Sequence, residues 1–139
     1  MAVRYVKLGR KPLAIGVGHH WAVKVEDSDG DGYWYEIMGA SKGDKNSPNV
    51  INKSWGDEAA SGAGHFGGEI VGKTTKSDED IEGFKHTWLS KNVTYCLTGD
   101  NCQKFGIDFI AWLTDLNYRL DHMLDAGTFS RLKRLFKYY

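Results

Sequence analysis

Apolar and polar positions alternate most cleanly between His19 and Glu26. Trp21, Val23 and Val25 share one parity, and His20, Ala22 and Lys24 the other, which is the period of a strand buried on one face. Asp27-Ser28-Asp29-Gly30-Asp31-Gly32 is turn-forming by composition. Tyr33 to Met38 is rich in the aromatic and branched residues that favour strands. Together the three segments predict a β-hairpin. Ahead of it, residues 1–12 read as a basic lead-in with one short strand (Val3 to Leu8), and Leu13 to Val17 as another. Behind it, residues 39–64 are rich in Gly, Ser, Asn, Asp and Lys, with isolated Val50, Ile51 and Trp55. They predict a long surface loop, with a short helical turn near Asp57 to Ala60, and loops of that length are often functional. Gly64 to Thr74 resumes a strand pattern through His65, Phe66, Ile70 and Val71.

Helical spacing then takes over. Ser77 followed by Asp78-Glu79-Asp80 sets acidic residues at the positive end of a helix. That helix carries Ile81, Phe84, Trp88 and Leu89 on one face as far as about Lys91. Asn92 to Leu97 reads as extended and Thr98-Gly99-Asp100 as a polar turn. Asn101 suits an N-cap, with Cys102 at the first helical position. Phe105, Phe109, Trp112, Leu113 and Leu116 repeat at helical spacing, and Cys102, one turn before Phe105, starts the same stripe. Helical potential continues from Asn117 through Leu124, Gly127-Thr128 breaks it, and 129–139 is a basic amphipathic tail. Strands first, then a helix, a strand and helices, predict a single α+β domain over 1–139 with an antiparallel sheet packed against helices.

Composition adds limits. The chain has 139 residues, 41% hydrophobic and 26% charged, which fits one globular domain. Its 18 basic and 18 acidic side chains cancel, which argues against a general nucleic-acid binder. No apolar run approaches the roughly 18 residues of a membrane span. Arg4 and Lys7 are followed by no apolar run of signal-peptide type. The two cysteines, Cys96 and Cys102, therefore read as reduced thiols in a cytoplasmic protein. The tail could make peripheral contact with an anionic membrane surface, but packing its apolar side on the domain is the simpler reading.

Cys102 is the candidate nucleophile. A helix N-terminus carries partial positive charge and unpaired N–H groups, a setting that suits a reactive sulfur. The bland alternative is a small apolar residue in a helix stripe. Cys96 has no comparable setting and reads as structural. A nucleophilic thiol needs a base nearby in space. His86 falls on the polar side of its helix and His122 in another probable helix, both solvated. His65, among glycines, could line a cleft. His19 and His20 open the hairpin, and His20 shares a face with Ala22 and Lys24, so it can meet a cleft or a packed helix. Glu36 is the candidate third group, to orient the imidazole. If Glu26 pairs with Gly32 and Lys24 with Trp34, Glu36 lies opposite Ala22 and diagonal to His20, within reach of long side chains. A slip of one residue sends it to the other face, and the alternative is an exposed strand carboxylate. Asp27 to Gly32 also echoes the start of a calcium loop, but Met38 stands where the twelfth-position Glu belongs, so a solvated turn is the better reading.

The order His20-Trp21-Ala22-Val23, Tyr35-Glu36-Ile37 and Asn101-Cys102-Gln103-Lys104-Phe105 resembles a circularly permuted papain-like superfamily. It includes the lecithin:retinol acyltransferase family, the permuted relatives of NlpC-type peptidases and the PPPDE isopeptidases. Those families place the histidine before the cysteine. The acyltransferase branch has a similar His-Trp-Ala strand, and it and the PPPDE group have an Asn-Cys-x-His-Phe helix start. Lys104 stands where both motifs have histidine, and Glu36 falls near a second histidine of the acyltransferase branch. The resemblance implies Cys102 as nucleophile, His20 as base and Glu36 as polar third member. It implies a cysteine hydrolase or acyltransferase working through a thioester, without cofactor or metal, on an ester, lipid, peptide or isopeptide substrate. Two other readings stand beside it: a non-catalytic binding module on the same fold, and an unrelated α+β domain with a structural Cys102.

Overall fold

The computed structural model describes residues 2–12, 19–39, 48–64, 68–92 and 100–119. The strand expected at Leu13 to Val17, His65, Cys96 with most of its extended segment, the Thr98-Gly99 turn, His122 and the basic tail lie outside the described residues. Five strands form one antiparallel sheet: β1 (Arg4–Pro12), β2 (His19–Glu26), β3 (Gly32–Gly39), β4 (Asn49–Trp55) and β5 (Glu69–Thr74), in the order β4-β3-β2-β1-β5. Two helices complete the described chain, α1 (Asp78–Lys91) and α2 (Asp100–Thr114). The α+β arrangement is the one the alternation and helical spacing predict.

The hairpin register follows from residue count. Glu26 pairs with Gly32, Lys24 with Trp34 and Ala22 with Glu36. Trp21, Val23, Tyr35 and Ile37 thereby share one face with Leu8 and Val6, and all are buried. The helices cover this face. Gly106 of α2 lies on Trp21 and Val23, where a Cβ would come within 3.1 Å of the indole. Phe109 meets Tyr35 edge-on at 5.2 Å. From α1, Phe84 stacks on Phe109 at 5.4 Å and Trp88 meets Phe105 at 5.2 Å. Such ring pairs add to the burial of their large apolar areas.

Four expectations are corrected. Residues 1–12 are no lead-in: β1 sits between β2 and β5, with Val6 and Leu8 fully buried. The long loop expected over 39–64 contains β4, which pairs along β3 from Tyr33↔Trp55 to Gly39↔Asn49. Residues 56–64 form bends and turns, not the short helix expected near Asp57. After α2, residues 117–119 are not helical, and the Arg119 N–H instead donates to the Val71 carbonyl at 2.8 Å.

The helix ends follow elementary rules. At α1, Ser77 is the N-cap. Its hydroxyl accepts from the Asp80 N–H and the Asp80 carboxylate accepts from the Ser77 N–H, both at 3.0 Å, a reciprocal capping box. α2 begins two residues earlier than expected, so Asn101 lies inside it and Cys102 is its third residue, still in the first turn. The second face of the sheet carries Lys24, which is buried. Its Nζ donates to the Gly30 carbonyl at 2.6 Å and pairs with Glu26 at 3.2 Å, as a buried ammonium must.

Candidate functional site

Turn 56–64 folds over the second face of the sheet. The Trp34 indole N–H donates to the Gly56 carbonyl at 3.0 Å, and Ala59 and Ala63 pack on Ala22 and Trp34. Gly64, at φ +91°, sits where a Cβ would come within 2.7 Å of Trp34. Glu36 lies beneath this turn with 0% exposure. It is not the exposed strand carboxylate of the alternative reading. His20, 9% exposed, is one diagonal away, and its Nε2 donates to Glu36 Oε1 at 2.7 Å. Because Ala22 stands between the two backbone positions, nothing bulky intervenes.

The first turn of α2 brings Cys102 to the same imidazole, which makes side-chain hydrogen bonds to both Cys102 and Glu36. Cys102 is 3% exposed and is in no disulfide. The three residues singled out by pattern thus meet, although they come from β2, β3 and α2. Their electrostatics follow from the contacts. Burial alone would push the His20 ring down, but the hydrogen bonds and charges of Cys102 and Glu36 outweigh it and raise the ring from 6.5 to about 9. Burial alone would raise the Glu36 carboxyl, but hydrogen bonds from His20 and Ser61 hold it below its ordinary range. At neutral pH the site therefore contains an imidazolium against a carboxylate. With Nε2 committed to Glu36, Nδ1 is the nitrogen left for the sulfur.

The remaining candidates fall elsewhere. His86 is exposed on α1, and the His19 side chain lies outside the described residues. Lys104, two residues past Cys102 and so about 200° round the helix, points away from the sulfur. Its Nζ donates to Asn92 Oδ1 at 2.7 Å, at the C-cap of α1, and Asn49 of β4 donates to the Asn92 carbonyl at 2.5 Å. Lys104 therefore ties the two helices together. The face it shares with Asp108 and Ala111 lines a groove of about 630 Å³ with Phe84, Trp88 and Trp112. That groove lies away from Cys102, His20 and Glu36, and concavity alone supplies no reacting group. Asp27, Asp29 and Asp31 each bring a carboxylate oxygen within 4.8 Å of the others. All three are exposed, and Asp27 Oδ1 already accepts the N–H groups of Asp29 and Asp31 at 2.9 and 3.0 Å, a turn-closing role.

Sequence reasoning missed Ser61 and Lys11. Ser61 donates its N–H to Glu36 Oε2 at 3.4 Å and adds a side-chain hydrogen bond, while Lys11 Nζ donates to the Ser61 carbonyl at 2.7 Å. Nothing in a Gly- and Ser-rich stretch marks one serine as a partner of a distant carboxylate. Among the described residues, no helix is long and apolar enough to cross a membrane. Comparison with protein-family models, curated proteins and solved structures finds no match to this chain.

Proposed function

We propose that this chain is a cysteine-dependent hydrolase or acyltransferase of the circularly permuted papain-like kind, with Cys102 as nucleophile, His20 as acid–base and Glu36 as the group that orients it. The observation that carries this reading is one imidazole bonded to both a buried carboxylate and a helix-start thiol. The proton that His20 holds on Nδ1 is the one the thiol has given up, and the sulfur attacks the carbonyl carbon of an ester or an amide such as an isopeptide. A C–S bond forms as the carbonyl π bond opens. The first turn of α2, at the positive end of the helix dipole, suits the developing oxyanion. The carbonyl re-forms, the bond to the leaving alcohol or amine breaks, and His20 gives that group its proton. Water, or an acceptor in the transferase case, then attacks the thioester and returns the thiol. We place the chain in the cytoplasm, where thiols are kept reduced.

The test is selective labelling. Iodoacetamide at neutral pH should modify Cys102, and a p-nitrophenyl ester should leave an acyl group there that mass spectrometry detects. Cys102→Ala should abolish both and Cys96→Ala neither, while His20→Ala should slow acylation by about 100-fold, the usual scale of a lost acid–base group. Equal labelling of the two cysteine variants would remove the catalytic reading and leave that of a binding module on the same fold.

A further inference from the structure

A carboxylate has two oxygens, and only one of those on Glu36 is committed to His20. The other, Oε2, is sealed from water because Glu36 has 0% exposure. A buried charged oxygen must find protein donors or the charge is expelled. Ser61 supplies a donor there, its backbone N–H at 3.4 Å, and its hydroxyl also hydrogen-bonds the Glu36 carboxylate. Ser61 Oγ in turn accepts the Ala63 N–H at 3.3 Å, which ties the serine side chain to the turn. Lys11 stands opposite His20 in the β1–β2 register, and its Nζ holds the Ser61 carbonyl at 2.7 Å.

We propose that Ser61 is a positioning residue for the imidazole: it locks the far oxygen of Glu36, and Lys11 steadies it from the strand beside His20. The inference rests on the reading of Cys102, His20 and Glu36 as a working set. The contacts run from the Ala63 N–H to Ser61 Oγ, from Ser61 to the Glu36 carboxylate, and from the His20 Nε2–H to Glu36 Oε1. A carboxylate held at both oxygens cannot turn about its Cγ–Cδ bond, so it keeps the proton on Nε2 and leaves Nδ1 for the sulfur. The charged and titratable groups that face His20 are Cys102 on α2, Glu36 on β3 and Lys11 on β1. Of these, Cys102 and Glu36 bond the ring directly.

The experiment follows the His20 ring in the full chain by NMR titration, beside the pH profile of Cys102 alkylation by iodoacetamide. The proteins are the wild type, Ser61→Ala, Ser61→Thr and Lys11→Met. Without the hydroxyl, the Glu36 carboxylate loses a bond to its charged form and its fixed orientation. Ser61→Ala should then lower the His20 midpoint by about one pH unit or more, a tenfold loss of proton affinity, and carry the alkylation profile with it. Ser61→Thr, which keeps the hydroxyl, should restore both, and Lys11→Met should give a smaller shift of the same sign. A His20 midpoint in Ser61→Ala within a few tenths of the wild type's overturns the proposal, since a serine that only packs leaves the titration alone. The two readings separate cleanly. A reactive Cys102 indifferent to Ser61→Ala sinks the positioning role and spares the catalytic one. A shifted His20 beside a wild-type Cys102 no faster than an ordinary thiol does the reverse.

Discussion

His20 sits between two partners that favour its charged form, and this makes the site sensitive to pH in a definite direction. Its affinity for a proton is higher in the fold, at about 9 against an ordinary 6.5, so its contribution to stability is complete below about pH 6.5 and is lost as pH rises through about 9. Glu36 behaves oppositely. Its carboxyl is lowered from an ordinary 4.5, so its contribution is present above that value and is lost as pH falls through its lowered one. Glu36→Gln keeps the shape and removes the charge. Denaturant unfolding should show it about 3 kcal/mol less stable near pH 5.5, the scale for breaking a buried pair, with the gap shrinking towards pH 9. A gap that stays flat from pH 5 to 9 would mean that the pair does not couple to folding. The same NMR titration should show His20 falling towards its ordinary value. Both residues were legible because strand parity and a short turn set the register by counting alone. Ser61 was not, because its partner is fixed by how turn 56–64 folds back, which no local pattern encodes.

Turn 56–64 and β4 are the elements that pattern reading missed, for different reasons. β4 is an edge strand without a clean alternation: Asn49 and Ile51 are buried, Val50 on the opposite face is 43% exposed, and Trp55, on the face of Ile51 but at the strand's end, is 60% exposed. Trp55 instead rests edge-on against Tyr33 at 4.9 Å. The turn is held by close approach. Gly9 of β1 admits it, since a Cβ there would come within 2.9 Å of the Gly64 nitrogen. Gly64 admits Trp34, and its φ of +91° disfavours any side chain. Gly64→Ala should therefore cost about 2 kcal/mol, read by thermal unfolding, from strain at that dihedral and displacement of the indole. It should also loosen the cover on Glu36 and slow Cys102 alkylation. A variant as stable as the wild type would show that the turn can shift at no cost. The helices were more legible because caps and stripes are local. Ser77 with Asp80 and the Phe105–Phe109 spacing placed α1 and α2 within a residue or two.

At the scale of the whole molecule, one ring joins the layers. Phe109, fully buried, touches Tyr35 of the sheet, Phe84 and Trp112 beside it and Phe105 one turn back. Phe109→Ala should destabilise the fold by about 3–5 kcal/mol, the usual cost of emptying a large core site, and chemical denaturation would measure it. A loss below about 1 kcal/mol would mean that the layers are not held through this ring. The α+β class could be read from the order of alternating and helical segments. The strand order could not. β1 looked peripheral because basic residues alternate with its few apolar ones, yet it lies between β2 and β5, with Val6 and Leu8 fully buried. Pairing with two partners, one of them distant in the chain, is a tertiary fact.

The neighbouring positions of His20 and Glu36 on one hairpin, with Cys102 far downstream, carry a consequence for biogenesis. As the ribosome extends the chain from its N-terminus, the hairpin emerges complete while the sulfur is still unmade. A growing chain can thus hold an acid–base pair with nothing to activate. The reagent is added only when α2 docks, so the chemistry proposed here would switch on in one step. A thiol-reactive dye would then time the docking of α2 on the sheet.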